Sequence, residues 1–190
     1  WGWRRSGTVE AWRQLMKDQA NKKVLQIRQT SGPQHWLRTS VQPSVDLVET
    51  GTCDLFIGPQ QHSGCSWHPP TLWIGVGCER NTSKSLIHRA ISQSLNDAGF
   101  AIEAIAGLAT ADRKADEPAL LALCHDYDWP LRTYTAEQLA VIPVPTASQA
   151  VFKEMGTASV AEAAALLTAG NSGTLRQSKR IHHANESEQG

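Results

Sequence analysis

A glycine-rich stretch, residues 75–83 with the sequence GVGCERNTS, follows an apolar run that begins at residue 72. A Gly-x-Gly turn between a strand and a helix exposes backbone N–H groups, which attract anions or a carbonyl oxygen that is gaining charge. Arg80 can pair with a carboxylate through two hydrogen bonds, and Thr82 and Ser83 add hydroxyl donors. The alternative is that the glycines only permit close packing and that a hydroxyl only caps the helix. The substrate-binding candidates in this stretch are Gly75, Gly77, Cys78, Arg80, Thr82 and Ser83.

A second charged stretch, residues 110–117 with the sequence TADRKADE, follows the next predicted strand. Open α/β sheets bind ligands at the carboxyl ends of their strands. Asp112 could orient or deprotonate a water, and Lys114 could polarise a carbonyl or hold a carboxylate, so both are candidate catalytic residues. Asp116 is predicted to cap a helix and Glu117 to add a favourable charge to its first turn, and both are also substrate-binding candidates. The alternative is a solvated charged turn, whereas the catalytic hypothesis requires Asp112 and Lys114 to face the same cleft as Gly77.

Cysteine and histidine chemistry is predicted to be minor. Cys78 could act as a nucleophile, but the sequence places no histidine beside it to activate the thiol. His62, Cys65 and His68 have a spacing that can bind a transition metal, but structural zinc sites usually take four ligands from two paired clusters. The glycine stretch lacks the third glycine of the dinucleotide fingerprint, and the chain has no phosphate-loop signature. We therefore predict neither a metal site nor a cofactor.

The elements that position these loops are clearest from residue 71 onward. Strands are predicted near 72–77, 102–108 and 131–134, and they alternate with amphipathic helices. The first of these helices follows Thr82 or Ser83 and ends at Gly99, where a left-handed residue is favoured. Three Ser/Thr-x-x-Gln/Glu pairs predict further helix starts, at Thr135 with Gln138, Thr146 with Gln149 and Ser159 with Glu162. The alternation predicts an α/β protein, a three-layer α/β/α sandwich with a largely parallel or mixed sheet.

The flanking regions differ in texture. Residues 1–70 hold five of the seven tryptophans, with a helix predicted over 8–18 and strands over 24–27 and 54–57. They are predicted to form a partial α+β segment ahead of the sandwich domain at 71–170. Residues 171–190 are polar and are predicted to be a tail or a linker. Because the chain begins with tryptophan and not methionine, we expect it to have been cut from a longer protein.

Composition argues against two classes of partner. Eighteen basic residues balance eighteen acidic ones, so no net charge favours nucleic acid or an anionic membrane. No stretch approaches the roughly 20 apolar residues of a membrane span. The four cysteines form no CxxC pair, which is typical of reduced thiols in a cytoplasmic protein.

Four stretches together resemble the C-terminal, CobE-like domain of the CbiG/CobE-type cobalamin-biosynthesis family. They are GVGCERNTS at 75–83, TADRKADE at 110–117, PVPT at 143–146 and GTASVAEAA at 156–164. Their order and spacing are similar to the family pattern over residues 71–170, with threonine replacing a serine at 146. Residues 1–70 resemble a truncated middle region of the longer CbiG proteins, although more loosely.

The resemblance implies a function. CbiG-type proteins are cobalt-precorrin-5A hydrolases, which open a ring-A lactone and release a two-carbon piece as acetaldehyde; CobE-type proteins are the matching domain alone. The implied substrate is a cobalt-containing tetrapyrrole, and fusion to or contact with a precorrin methyltransferase is a further possibility. The alternative is a non-catalytic module that binds a tetrapyrrole intermediate for a neighbouring enzyme.

Overall fold

The computed structural model describes residues 2–38, 45–145 and 159–183. Within it the chain divides into two compact units. The first unit comprises Trp1–Thr71 with Gly99–Ala104, and the second comprises Leu72–Ala98 with Ile105–Gly190. Parallel and mixed sheets flanked by helices confirm the predicted α/β class. None of the helices in the described ranges combines the length and the apolarity that a bilayer span requires.

The first unit is built on a five-stranded sheet with the order β1-β5-β4-β2-β3. The strands are β1 Arg4–Ser6, β2 Leu25–Gln29, β3 Val45–Leu47, β4 Leu55–Ile57 and β5 Cys65–His68. Among these five strands, β1 pairs with β5 in antiparallel fashion and the other neighbours pair in parallel. Helix α1, Val9–Ala20, starts where the Thr8 hydroxyl accepts a hydrogen bond from the Ala11 N–H, and a short 3-10 helix covers His35–Arg38. The apolar centre of this sheet is formed by Leu25, Ile27 and Ile57.

A short return segment, Gly99–Ala104, belongs to the first unit although it lies inside the predicted 71–170 domain. Gly99 has φ +70°, as expected for the residue that ends the preceding helix. Its carbonyl accepts from the Gln61 N–H at 2.8 Å, and the Ala101 N–H donates to the Pro59 carbonyl at 2.8 Å. Residues 102–104 form a 3-10 helix, so the strand predicted over 102–108 begins at Ile105.

The second unit contains a three-stranded parallel sheet with the order β6-β7-β8. Its strands are β6 Leu72–Gly75, β7 Ile105–Ala111 and β8 Leu131–Tyr134. Its helices are α2 Lys84–Asp97, a 3-10 turn Asp112–Lys114, α3 Pro118–Tyr127, α4 Ala136–Ala140 and α5 Val160–Ala169. Ala109 and Ala111 of β7 pack against α4 and α5 on one face. Alternate residues of a strand point to opposite faces, and the other face carries α3, on which α2 packs.

Most predicted helix starts are confirmed. Ser83 caps α2, Thr135 and Gln138 form a reciprocal capping box on α4, and Ser159 caps α5. The start predicted at Thr146 lies outside the described residues. The predicted cap at Asp116 is wrong: Glu117 occupies the N-cap position of α3, and its side chain makes no capping hydrogen bond.

Residues 171–183, the described part of the predicted polar tail, lie against the second unit. The Lys179 N–H donates to Oε1 of the buried Glu162 at 2.7 Å, which links the tail to α5. Arg180 pairs with Asp97, and the Arg89 guanidinium donates to the carbonyl of His183. These contacts fix this part of the tail on α2 and α5.

Candidate functional site

The two charged stretches start side by side because β6 and β7 are neighbouring parallel strands. Just beyond β6, the Val76 N–H donates to the Ala109 carbonyl at 2.8 Å. The Thr110 hydroxyl donates to the Val76 carbonyl at 2.7 Å. Residues 75–83 and 110–117, called here the two strand-end loops, therefore leave the same edge of the sheet. This is the edge at which open α/β sheets bind ligands.

Arg80 ties the two strand-end loops together. Its Nη1 donates to Asp116 Oδ1 at 2.5 Å and its Nη2 donates to the Arg113 carbonyl at 2.5 Å. The hydrogen bond from Arg80 holds the pKa of Asp116 below its ordinary value. The guanidinium predicted for a substrate carboxylate is thus engaged by the chain's own acceptors, and Asp116 acts as its partner. Both side chains are largely exposed, at 53% and 77%, so an incoming carboxylate can compete for Arg80.

Glu117 makes a second, buried link between the loops. Its side chain is 1% exposed, and its Oε1 accepts from the Asn81 N–H at 2.8 Å. Asn81 adopts the left-handed backbone conformation, with φ +60°. The other oxygen, Oε2, lies 3.5 Å from Arg80 Nη1 and 3.9 Å from Lys114 Nζ and accepts no hydrogen bond from the described residues. Glu117 therefore links the two strand-end loops inside the protein, in addition to its predicted role as a charge in the first turn of α3.

The two candidate catalytic side chains differ in their surroundings. Lys114 is 17% exposed, with its ammonium next to Glu117. Asp112 is exposed and accepts from the Arg113 N–H at 2.7 Å. A shared cleft for Asp112, Lys114 and Gly77 stays a prediction.

Cys78 lies among these charges. Burial raises the pKa of its thiol; Lys114 and Arg80 lower that pKa, and Glu117 raises it. A raised thiol pKa leaves little thiolate at neutral pH. Covalent catalysis by Cys78, already disfavoured by the sequence, gains no support from this environment.

The remaining loop candidates divide by what they contact. A Cβ on Gly75 would lie 1.8 Å from the Ala161 carbonyl oxygen, so this glycine permits the close approach of α5. The Ser83 hydroxyl caps α2, and the Thr82 hydroxyl donates to the Glu79 carbonyl at 2.9 Å. A Cβ on Gly77 would meet nothing within 4 Å, which leaves its backbone approachable. Gly75, Thr82 and Ser83 thus have structural partners, and Gly77 keeps open space in front of it.

The sequence reasoning missed Asn81 and the Arg113 carbonyl. Asn81 carries a usable signal, because asparagine is enriched in the left-handed conformation and here follows Arg80 directly. The Arg113 carbonyl carries none, because every residue has a carbonyl and only the fold selects this one.

The histidine–cysteine run lies on the first unit and is engaged structurally. His68 is fully buried: its Nδ1–H donates to the Gly58 carbonyl at 2.7 Å, and its Nε2 lies 2.8 Å from Ser6 Oγ. His62 stacks on Phe56 and accepts from the Gly64 N–H, and Cys65 is buried in β5. A metal would have to displace these contacts. Across the described ranges, no three His, Cys, Asp or Glu side chains gather as ligands for a metal.

Comparison with known proteins identifies the family. Residues 72–186, which include both strand-end loops, match the family model described as "Cobalamin synthesis G C-terminus". The chain belongs to this family. The match covers more than half of the chain and confirms the CbiG/CobE resemblance.

Two relatives carry functional names. The chain is 34% identical over 108 residues to a "Cobalt-precorrin-5A hydrolase" from Priestia megaterium, which is 57% of this chain and 29% of that protein. It is 36% identical over 106 residues to "Protein CobE" from Sinorhizobium sp, which is 55% of this chain and 69% of that protein. The match thus spans less than a third of the hydrolase and about two thirds of CobE.

A crystal structure of CobE, a protein from the cobalamin biosynthetic pathway, is similar in fold. The TM-score is 0.50 at 30% identity, over 53% of this chain and 72% of that chain. The likeness supports the α/β architecture of the family domain.

Proposed function

We propose that this chain provides the tetrapyrrole site for hydrolytic opening of the ring-A lactone of cobalt-precorrin-5A, with release of acetaldehyde. The observation that carries the proposal is the pairing of the two strand-end loops, which brings Arg80, Lys114 and Glu117 together at the ends of β6 and β7. The Priestia relative, named for this reaction, supports the choice of substrate.

In the proposed chemistry, Asp112 accepts a proton from water as the water oxygen bonds to the lactone carbonyl carbon. The Lys114 ammonium stabilises the oxyanion that forms on the carbonyl oxygen. The C–O bond of the lactone then breaks, and the proton held by Asp112 passes to the departing oxygen. Asp112, again a carboxylate, accepts the proton of the freed hydroxyl as the adjacent C–C bond breaks to give acetaldehyde. The electron pair of that C–C bond passes to the conjugated macrocycle, which takes up a proton.

Binding follows from the same loops. Tetrapyrrole precursors carry several carboxylates, and Arg80 can exchange its exposed partner Asp116 for one of them. The Gly77 backbone allows a flat ring to come close. We also propose fusion to, or contact with, a precorrin methyltransferase. We further propose a cytoplasmic location, which suits the four free cysteines.

A second candidate is a non-catalytic module that holds a tetrapyrrole intermediate. Two observations favour it: the match spans 29% of the Priestia hydrolase, and the Thr82 and Ser83 hydroxyls are used within the chain. The loops would then bind the substrate while another part of the enzyme performs the hydrolysis.

The test is acetaldehyde release when residues 1–190 meet cobalt-precorrin-5A without oxygen. We expect Asp112→Asn and Lys114→Met each to lower the rate by about 100-fold or more. Asp126→Asn, which removes an exposed carboxylate on α3 paired with Lys84, is the matched control and should keep the wild-type rate. Full turnover by Asp112→Asn would exclude it as the base. Corrinoid binding without acetaldehyde would favour the binding module.

A further inference from the structure

The buried carboxylate of Glu117 and the half-buried ammonium of Lys114 form an ion pair whose two members differ in solvent exposure. Glu117 is 1% exposed, Lys114 17% and Arg80 53%, so the carboxylate is the most buried of the three side chains and the guanidinium the most exposed. Burying a carboxylate costs free energy unless charges and hydrogen bonds compensate. Oε1 accepts from the Asn81 N–H, whereas Oε2 accepts no hydrogen bond from the described residues and lies 3.5 Å from Arg80 Nη1 and 3.9 Å from Lys114 Nζ.

Lys114 depends on this carboxylate more than Arg80 does. Arg80 already donates to Asp116 and to the Arg113 carbonyl. Among the described residues, Glu117 is the one carboxylate within 4 Å of Lys114 Nζ. A lysine side chain has many rotamers in water, and only a nearby counter-charge or close packing confines its ammonium.

We propose that Glu117 is the positioning residue of the site: it holds the Lys114 ammonium beside its own carboxylate and fixes the Gly77–Asn81 turn. A carboxylate with 1% exposure cannot contact a macrocycle while the loops keep this arrangement, so Glu117 acts through Lys114 and through the Asn81 N–H. The inference rests on the proposed function in one respect, since Lys114 is the group assigned to the substrate.

Cys78 provides a reporter that needs no substrate. Its thiol senses Lys114, Glu117 and Arg80, so its reactivity reports where the ammonium lies. The experiment measures the alkylation rate of Cys78 by iodoacetamide at neutral pH in a Cys53→Ser background, because Cys65 and Cys124 are buried. Lys114→Met is made both with Glu117 and with Glu117→Gln, which completes a double-mutant cycle.

The expected result is strong coupling. With Glu117 present, Lys114→Met should slow alkylation about threefold, because the thiolate loses a nearby cation. With Glu117→Gln, the unheld lysine should contribute little, and Lys114→Met should then change the rate by less than about 1.5-fold. An equal effect of Lys114→Met in both backgrounds would overturn the proposal. The matched cycle on the exposed pair of Lys84 and Asp126 should leave the Cys78 rate unchanged.

Folding and function are controlled separately. Glu117→Gln keeps a carbonyl oxygen that can accept from the Asn81 N–H, so the loop should stay in place, and circular dichroism checks this. If that variant unfolds, Glu117→Asp, which withdraws the charge by one methylene, takes its place in the cycle with the same expected loss of coupling. Failure of acetaldehyde release would reject the proposed hydrolase and leave the thiol cycle to decide the role of Glu117.

Discussion

Buried polar side chains in this chain are held mainly by backbone atoms of distant segments. His68 donates to the Gly58 carbonyl, Glu117 accepts from the Asn81 N–H, and Glu162 accepts from the Lys179 N–H. Each bond satisfies a group whose burial would otherwise be costly, and each fixes a loop or a tail. At the residue scale, polar burial therefore positions irregular backbone, including the turn at Gly77.

We expect His62 to make the first unit sensitive to acid. Burial lowers the pKa of its imidazole, and the electrostatic interactions with Arg28 and then with His68 lower that pKa further. The unfolded chain therefore binds a proton near pH 6.5, whereas the folded chain binds it only at lower pH. Stability attributable to His62 is complete above about pH 6.5 and falls as the pH drops from there toward the folded pKa.

Urea unfolding at about pH 7.5 and about pH 5.5 tests this effect. We expect the wild-type chain to lose more stability on acidification than His62→Gln, whose side chain is neutral at both values and can still accept from Gly64. Equal losses in the two proteins would show that His62 is not responsible for the acid sensitivity.

At the element scale, two glycines of one loop differ in the space that a side chain would have. Gly75 lies where α5 crosses β6, and a Cβ there would collide with the backbone of Ala161. Gly77 stands two residues later with open space around its Cα. A pair of identical substitutions therefore separates a packing role from a binding role.

Gly75→Ala should destabilise the chain by about 3 kcal/mol, because a backbone collision forces α5 to move. Gly77→Ala should change stability by less than about 0.5 kcal/mol and should weaken corrinoid binding if a ring approaches there. Thermal unfolding and corrinoid absorbance titration measure the two effects. Comparable stability for both variants would mean that α5 adapts without cost, and unchanged affinity of Gly77→Ala would remove this glycine from the binding site.

The predictions that succeeded at this scale depend on local chemistry. Ser83, Thr135 and Ser159 cap helices because their hydroxyls reach backbone N–H groups three residues on. Asp116 was misassigned because Arg80, 36 residues away in sequence, competes for its carboxylate. The sequence analysis predicts no strand over Cys65–His68, because the pairing with β1 and β4 that forms β5 is set by distant segments. The role of Asp116 and the formation of β5 thus depend on contacts with residues distant in sequence, which the local sequence pattern does not reveal.

At the scale of the whole molecule, sequence order and compact units do not coincide. The sequence predicted a domain over 71–170, and the family model begins at residue 72. Yet Gly99–Ala104 returns to the first unit, where it bonds to Pro59, Gln61 and Thr71. The two units therefore share the chain through this segment. Cutting the chain after residue 71 would therefore also remove the hydrogen bonds that join Gly99–Ala104 to Pro59, Gln61 and Thr71.

A chain of residues 72–190 tests what that segment requires. We expect it to fold, because the core at Ala109, Ala111, Leu139, Ala163 and Ala164 is contained within it. The Ala101 N–H, however, loses its acceptor on Pro59, and its hydrogen exchange should become about 100-fold faster than in residues 1–190. The Ala163 N–H donates to the Ser159 carbonyl within the fragment and should exchange at an unchanged rate, which provides the internal control. Equal protection of Ala101 in both chains would mean that residues 99–104 are ordered by the family domain itself, and residue 71 would then be a true domain boundary.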